Sequence, residues 1–98
     1  MVVYRKGELS PSTMDREWPH QVAFPVEVVN GKNKTIIDRF CRGLSVCPRR
    51  HTFQRDRKEY LVYCFADLGD ADYFRTYFGG EPMTPETRPP SHRKLSRA

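Results

Sequence analysis

Cys41, Cys47, His51 and Cys64 carry the soft donor atoms of this 98-residue chain. Between them they could hold a zinc ion or supply a nucleophilic thiolate. Structural zinc ligands come in closely spaced pairs, because one short turn must present both to a tetrahedral ion. No Cys-x-x-Cys occurs here. Cys41 falls on the apolar stripe of a predicted helix and Cys64 inside a predicted strand, where free cysteines pack as small hydrophobes. Cys47 differs, since Arg49 and Arg50 beside it would favour the thiolate. A thiol or metal-binding protein is therefore one alternative reading, although the spacing assigns no metal ligand and no cofactor.

Carboxylates offer less. Asp67, Asp70 and Asp72 cluster where a helix start attracts negative charge to its positive end, and they lack calcium-loop spacing. The sequence contains no nucleophile elbow, phosphate loop or dinucleotide fingerprint. His20 and His92 lie at a strand start and in the polar C-terminal stretch. His51 has no Ser, Cys or Asp partner that spacing alone identifies. No catalytic residue is assigned, and the chain is read as a non-enzyme.

Charge is the strongest functional signal. Residues 31–58 hold nine Lys or Arg against two Asp, a net of +7, and residues 59–87 hold one Arg against six acids, a net of −5. If the weak strand over 49–55 and its turn lie together, Arg49, Arg50, Arg55, Arg57 and Lys58 form one basic edge. Such an edge would draw phosphates by counterion release. The same arginines would also keep an exposed strand soluble and stop edge-to-edge pairing. An RRM, which stacks bases on strand aromatics, would need its third-strand signature on Lys58–Phe65. Lys58, Tyr60 and Phe65 fit it. Glu59, Leu61 and Val62 do not, and the partner motif on the first strand is missing, so an RRM is rejected.

The elements that must position these groups are legible from pattern. Ser10 as N-cap and Pro11 at the first helical position start a two-turn helix, with Leu9 and Met14 placed for a hydrophobic staple. Met14 and Trp18 share one side, and Pro19 ends the helix. Gln21 to Val28 alternates as a half-buried strand. Pro25 marks it as an edge strand or a bulge, and residues 30–33 read as a turn. Ile36, Ile37, Phe40, Cys41 and Leu44 trace a helical stripe over 34–44. Residues 59–66 are apolar on both sides, which predicts a central strand. Asp70 caps a helix carrying Ala71, Phe74 and Phe78, stopped by Gly79-Gly80, and a short strand is possible at 81–83.

These elements predict an α+β domain over 1–87: a small antiparallel sheet of three or four strands backed by two helices, for which a ferredoxin-like split βαβ is the natural arrangement, with a short N-terminal helix on an arm over 1–20. Pro25 argues against the ferredoxin-like order, because its first strand is central. Residues 88–98 are too polar and proline-rich to offset their ordering entropy and read as a disordered basic tail. The longest apolar run, Tyr60–Ala66, is far below the ~20 residues of a membrane helix, and the start is not a secretory signal. Three irregularly spaced cysteines suggest a reducing, cytoplasmic home.

Tyr4-Arg5-Lys6-Gly7-Glu8-Leu9-Ser10, Trp18-Pro19-His20-Gln21-Val22 and Tyr63-Cys64-Phe65-Ala66-Asp67 give the chain a family resemblance. In order and spacing it resembles a group of small uncharacterised proteins of alphaproteobacteria of the rhizobial kind, over roughly residues 3–81. The resemblance implies a bacterial cytoplasmic setting and brings no functional residues with it. The sequence thus points to a small non-catalytic binding or regulatory module that uses the basic sheet edge. Its partner would be a protein or an anionic polymer such as nucleic acid, and a membrane is not expected. A structural oligomer docking mixed-charge faces head to tail is a further reading.

Overall fold

The computed structural model describes residues 10–90. Within them the chain runs α1 (Pro11–Glu17), β1 (His20–Pro25), α2 (Gly31–Cys41), β2 (His51–Arg55), β3 (Lys58–Phe65), α3 (Leu68–Phe78) and β4 (Glu81–Met83). A 3-10 turn at Val26–Val28 links β1 to α2. The strands form one antiparallel sheet in the order β2-β3-β1-β4. These are the order and directions of a ferredoxin-like split βαβ, in which β3 separates the two strands that α2 connects.

Alternation along β1 and β3 decides what each face buries. Val22, Phe24, Tyr63 and Phe65 point to the helical side, where Ile37 and Cys41 of α2 and Ala71 and Phe74 of α3 cover them. Phe74 is the hub of that layer, with ring centroids 5.0 Å from Phe65, 5.4 Å from Tyr63 and 5.8 Å from Phe24. The opposite face is covered too. Ala23, Val62, Cys64, Phe53 and Met83 pack with Met14 of α1, with Cys47, and with the half-buried Trp18 and Tyr60. The N-terminal arm therefore closes a face that would otherwise be wet.

Several expectations change in detail. The first strand stops at Pro25 instead of Val28, and Gln21 and Ala23 are buried at 2% exposure rather than outward-facing. The arm packing on their face is the cause. Pro25 proves compatible with a central strand because β4 is short: its register ends at Ala23↔Glu81, before the missing N–H could break a ladder bond. Helix α2 begins at Gly31, earlier than its apolar stripe, and Asn33 within it donates to the Val28 carbonyl at 3.0 Å. Helix α3 is capped by Asp67, whose carboxylate accepts from the Asp70 N–H, three residues into the run. Asp70 itself accepts from the Ser45 N–H at 2.8 Å and so ties the loop after α2 to this helix.

Ser10 caps α1 as expected, accepting from the Thr13 N–H. The staple with Leu9 lies outside the described residues. Gly79 and Gly80 end α3 at φ of +78° and +97°, as the paired glycines predict. Ordered contacts reach beyond residue 87, because Arg88 is held by the arm; residues 91–98 are outside the described part.

Candidate functional site

The hairpin that carries most of the predicted basic edge is built by a two-residue turn. Asp56 and Arg57 both adopt positive φ, +53° and +66°, the pattern of the turn whose twist matches a right-handed hairpin. Asp tolerates this conformation, while Arg57 adopts it at some cost. Arg55↔Lys58 closes the hairpin, followed by Phe53↔Tyr60 and His51↔Val62. In such a ladder the alternate residues Thr52 and Gln54 turn their N–H and C=O groups away from β3. Among the described residues β2 is the outermost strand on this side, so those groups form an open edge.

The five predicted cations divide into two groups. Arg55, Arg57 and Lys58 gather at the turn, while Arg49 and Arg50 precede β2 at its other end, about 17 Å away along a five-residue strand. Arg50 is folded inward: it donates to the Cys47 carbonyl at 2.9 Å, lies 4.3 Å over the Tyr63 ring and stands 3.7 Å from Asp38. Arg55 crosses the sheet face to Glu81 with bonds of 2.6 and 3.3 Å, its guanidinium 4.7 Å above the Tyr60 ring. The bonds from Arg55 hold the Glu81 carboxyl below its ordinary range. Lys58 stands 3.6 Å from Glu27. Among the described residues, Arg49 and Arg57 have no ion-pair partner. Among the described residues there are therefore two unpaired cations flanking an open strand edge, in place of one continuous basic stripe.

The sheet face away from the long helices is closed to a stacking ligand. Phe53 and Tyr60 stack on each other at 4.9 Å with planes 6° apart, and the Arg55 guanidinium lies against both rings, 4.7 Å from the Tyr60 centroid and 5.6 Å from that of Phe53. Further along, Asp15 of α1 reaches over the sheet to three side chains. Arg88 donates to it through Nη1 at 2.7 Å and Nη2 at 3.1 Å, Gln21 Nε2 donates at 3.1 Å, and His51 Nε2 lies 2.9 Å away. Arg88 Nη1 also reaches the Gln21 amide oxygen at 2.9 Å.

Burial pushes the Asp15 carboxyl up, but the bonds from Arg88 and Gln21 and the charges of Arg88 and His51 outweigh it, leaving the acid below its ordinary value. His51 is shifted down, first by burial and then by the Arg88 charge. A neutral His51 donating to an ionised Asp15 satisfies both.

The sequence did not reveal this cluster, whose members come from α1, β1, β2 and the segment after β4. The one local trace is that Gln21 and His51 are polar residues at inward register positions of their strands. In character it is a clasp: each polar atom named above is answered by another.

The thiols are separated by the sheet. Cys41 belongs to the layer under the helices, and Cys47 and Cys64 to the other face. Burial pushes Cys41 up to about 11 and Cys64 up to about 12. Cys47 is also raised, because burial outweighs the neighbouring Arg50 and Arg49 charges, contrary to the activation expected from sequence. Among the described residues no three His, Cys, Asp or Glu side chains converge as a metal site would require. No described helix is long and apolar enough to cross a membrane.

No family model, curated protein or solved structure matches the chain.

Proposed function

We propose that this protein is a non-catalytic binding module that takes up an extended, acidic segment of a partner protein as an added strand on β2. The observation that supports it most is the outward edge of Thr52 and Gln54, framed by Arg49 and Arg57. An added strand gains affinity from main-chain hydrogen bonds and specificity from what lies at its ends. Here the ends offer positive charge. The opposite sheet edge, β4, is only three residues long and contains Pro82, which makes it a poor template.

A nucleic-acid polymer fits less well. Arg50 and Arg55 are already engaged within the fold, Lys58 stands beside Glu27 at the surface, and the aromatic rings facing away from the long helices are covered by protein groups. The setting we propose is the bacterial cytoplasm, in line with the family resemblance and the three unpaired thiols.

Fluorescence anisotropy tests this reading. The probe is a labelled peptide of alternating valine and threonine with an aspartate at each end; the comparison probes carry lysine ends or are short single-stranded RNA. The aspartate peptide is expected to bind in the micromolar range and to lose affinity when Thr52 or Gln54 is replaced by proline. Those replacements remove an outward donor and leave the bonds to β3 intact. Equal binding of both peptides, or binding of RNA alone, would overturn it.

A further inference from the structure

The outer surface of the helical layer exposes apolar residues that the fold does not use. Ile36 is 55% exposed, Tyr73 49% and Tyr77 62%, with Val28 at 43% close by. They are contiguous. Phe40 of α2 stacks on Tyr73 at 5.2 Å and meets Tyr77 at 5.1 Å, and the two tyrosines meet each other at 5.2 Å. Beside them a groove of about 280 Å³ runs between the two helices, with Ile36, Val28 and Tyr77 on its walls. Tyrosines at an apolar, grooved surface are typical of association surfaces, since each ring offers large contact area at little entropic cost.

The charges on either side of this patch indicate what covers it. Helix α2 carries Lys32, Lys34 and Arg39 against Asp38, whereas α3 carries Asp70 and Asp72 against Arg75. One flank of the patch is thus basic and the other acidic. A surface of this kind is complementary to itself under a two-fold axis. An axis lying in the interface along the helix pair sets α2 of each copy on α3 of the other. An axis across the helices would set like on like, with basic α2 against basic α2.

The first arrangement also preserves height along the helices. Phe40 meets Tyr73 at 5.2 Å and Tyr77 at 5.1 Å, so the turn of α2 that holds Arg39 and Phe40 faces the middle of α3, and Arg39 of one copy comes within about a turn of Asp72 of the other. Neither side chain is strongly committed: Arg39 has no ion-pair partner among the described residues, and Asp72 has only Arg75 at 3.6 Å.

We infer that the protein forms a two-fold homodimer through Ile36, Phe40, Tyr73 and Tyr77, with Arg39 and Asp72 pairing across the interface at both ends. The surface is independent of the β2 edge, so a dimer presents two such edges and neither proposal needs the other.

Sedimentation velocity of the full chain over about a hundredfold concentration range reads the result directly. Wild type is expected to shift from the mass of one chain to that of two. Ile36→Asp and Tyr77→Ser, both at exposed positions, are expected to remain monomeric with an unchanged circular dichroism spectrum. Arg39→Asp and Asp72→Arg are each expected to weaken the dimer at least tenfold, and their combination to restore it. A wild-type monomer at every concentration would overturn the proposal. So would a dimer that the Ile36 and Tyr77 variants leave intact, or a charge-swapped double variant no tighter than either single one.

Discussion

Arg88 and Asp15 stand 73 positions apart in the chain and meet in a two-pronged ion pair, Nη1 to Oδ1 at 2.7 Å and Nη2 to Oδ2 at 3.1 Å. The contact joins the segment after the last strand to the first helix, over the sheet face that the long helices leave free. Both side chains are largely withdrawn from water, at 14% and 23% exposure. Removing one partner of such a pair leaves the other's charge poorly solvated. Asp15→Ala, which abandons Arg88, His51 and Gln21 together, is expected to cost about 2–4 kcal/mol in urea unfolding. Arg88→Met should cost less, about 1–2 kcal/mol, because Gln21 and His51 still answer the carboxylate. The double variant should fall short of the sum by about 1 kcal/mol or more, the signature of direct coupling. Strict additivity would show that the clasp contributes nothing as a unit.

Acid should weaken the same clasp in two stages. His51 has a lowered pKa in the folded protein, so the unfolded chain takes its proton first. The stability that neutral His51 provides is full above the ordinary value of 6.5 and declines as pH falls from there through the folded value. Asp15 is likewise lowered; its contribution is full above 3.8 and is lost as pH falls below that through the folded value. Urea midpoints between pH 8 and pH 3 should therefore begin to drop near pH 6.5. In His51→Gln, which keeps a donor towards Asp15, the first stage should vanish and the second remain. A first stage that survives the substitution would assign it to another group.

Gly80 is needed for space as well as for backbone freedom. A Cβ there would lie 2.6 Å from Val22 Cγ1 and 2.8 Å from Phe24 Cζ, at a φ of +97°. Gly43 has a similar φ of +87° with nothing within 4 Å. Gly43→Ala should cost about 1 kcal/mol, the backbone term alone. Gly80→Ala should cost about 2–4 kcal/mol, since overpacking against β1 adds to it. Equal losses in thermal or urea unfolding would mean that α3 and β4 shift freely enough to admit the methyl group.

The three cysteines should be inert in the native protein. All are buried, and burial raises Cys41 to about 11 and Cys64 to about 12, so the reactive thiolate is scarce at neutral pH. Ellman's reagent is expected to label none of them before global unfolding, and all three afterwards. Rapid labelling of Cys47 in the folded state would revive a thiol function, because Arg49 and Arg50 stand beside it.

Local chemistry made most of the fold readable. Period-two alternation in Val22–Phe24, the unbroken apolar run Tyr60–Phe65, the Ser10–Pro11 helix start and the Gly79-Gly80 stop each depend on neighbours within a few positions. What depends on distant packing did not show. Ile36 shares the apolar spacing of Ile37 and Phe40, yet it points to solvent, since α3 reaches only part of the stripe. Asp70 has an N-cap residue's chemistry, but Asp67 precedes it by three and takes the cap, leaving Asp70 for Ser45. The basic run from Arg49 to Lys58 looks continuous as text. In the fold Glu81, Glu27 and the Cys47 carbonyl, all outside that run or at its margin, engage three of its five cations. His51 found its acid 36 positions upstream, where no spacing rule would search.

The central claim, that the outer edge of β2 accepts a strand, is tested most directly at the backbone amides of that strand. With the aspartate-ended peptide added at saturation, the Thr52 and Gln54 amide protons should gain at least tenfold protection from hydrogen exchange. Those of Phe53 and Arg55, already bonded to β3, should change little. Uniform protection along β2, or none at Thr52 and Gln54 while the peptide is bound, would contradict the claim and move the working surface elsewhere.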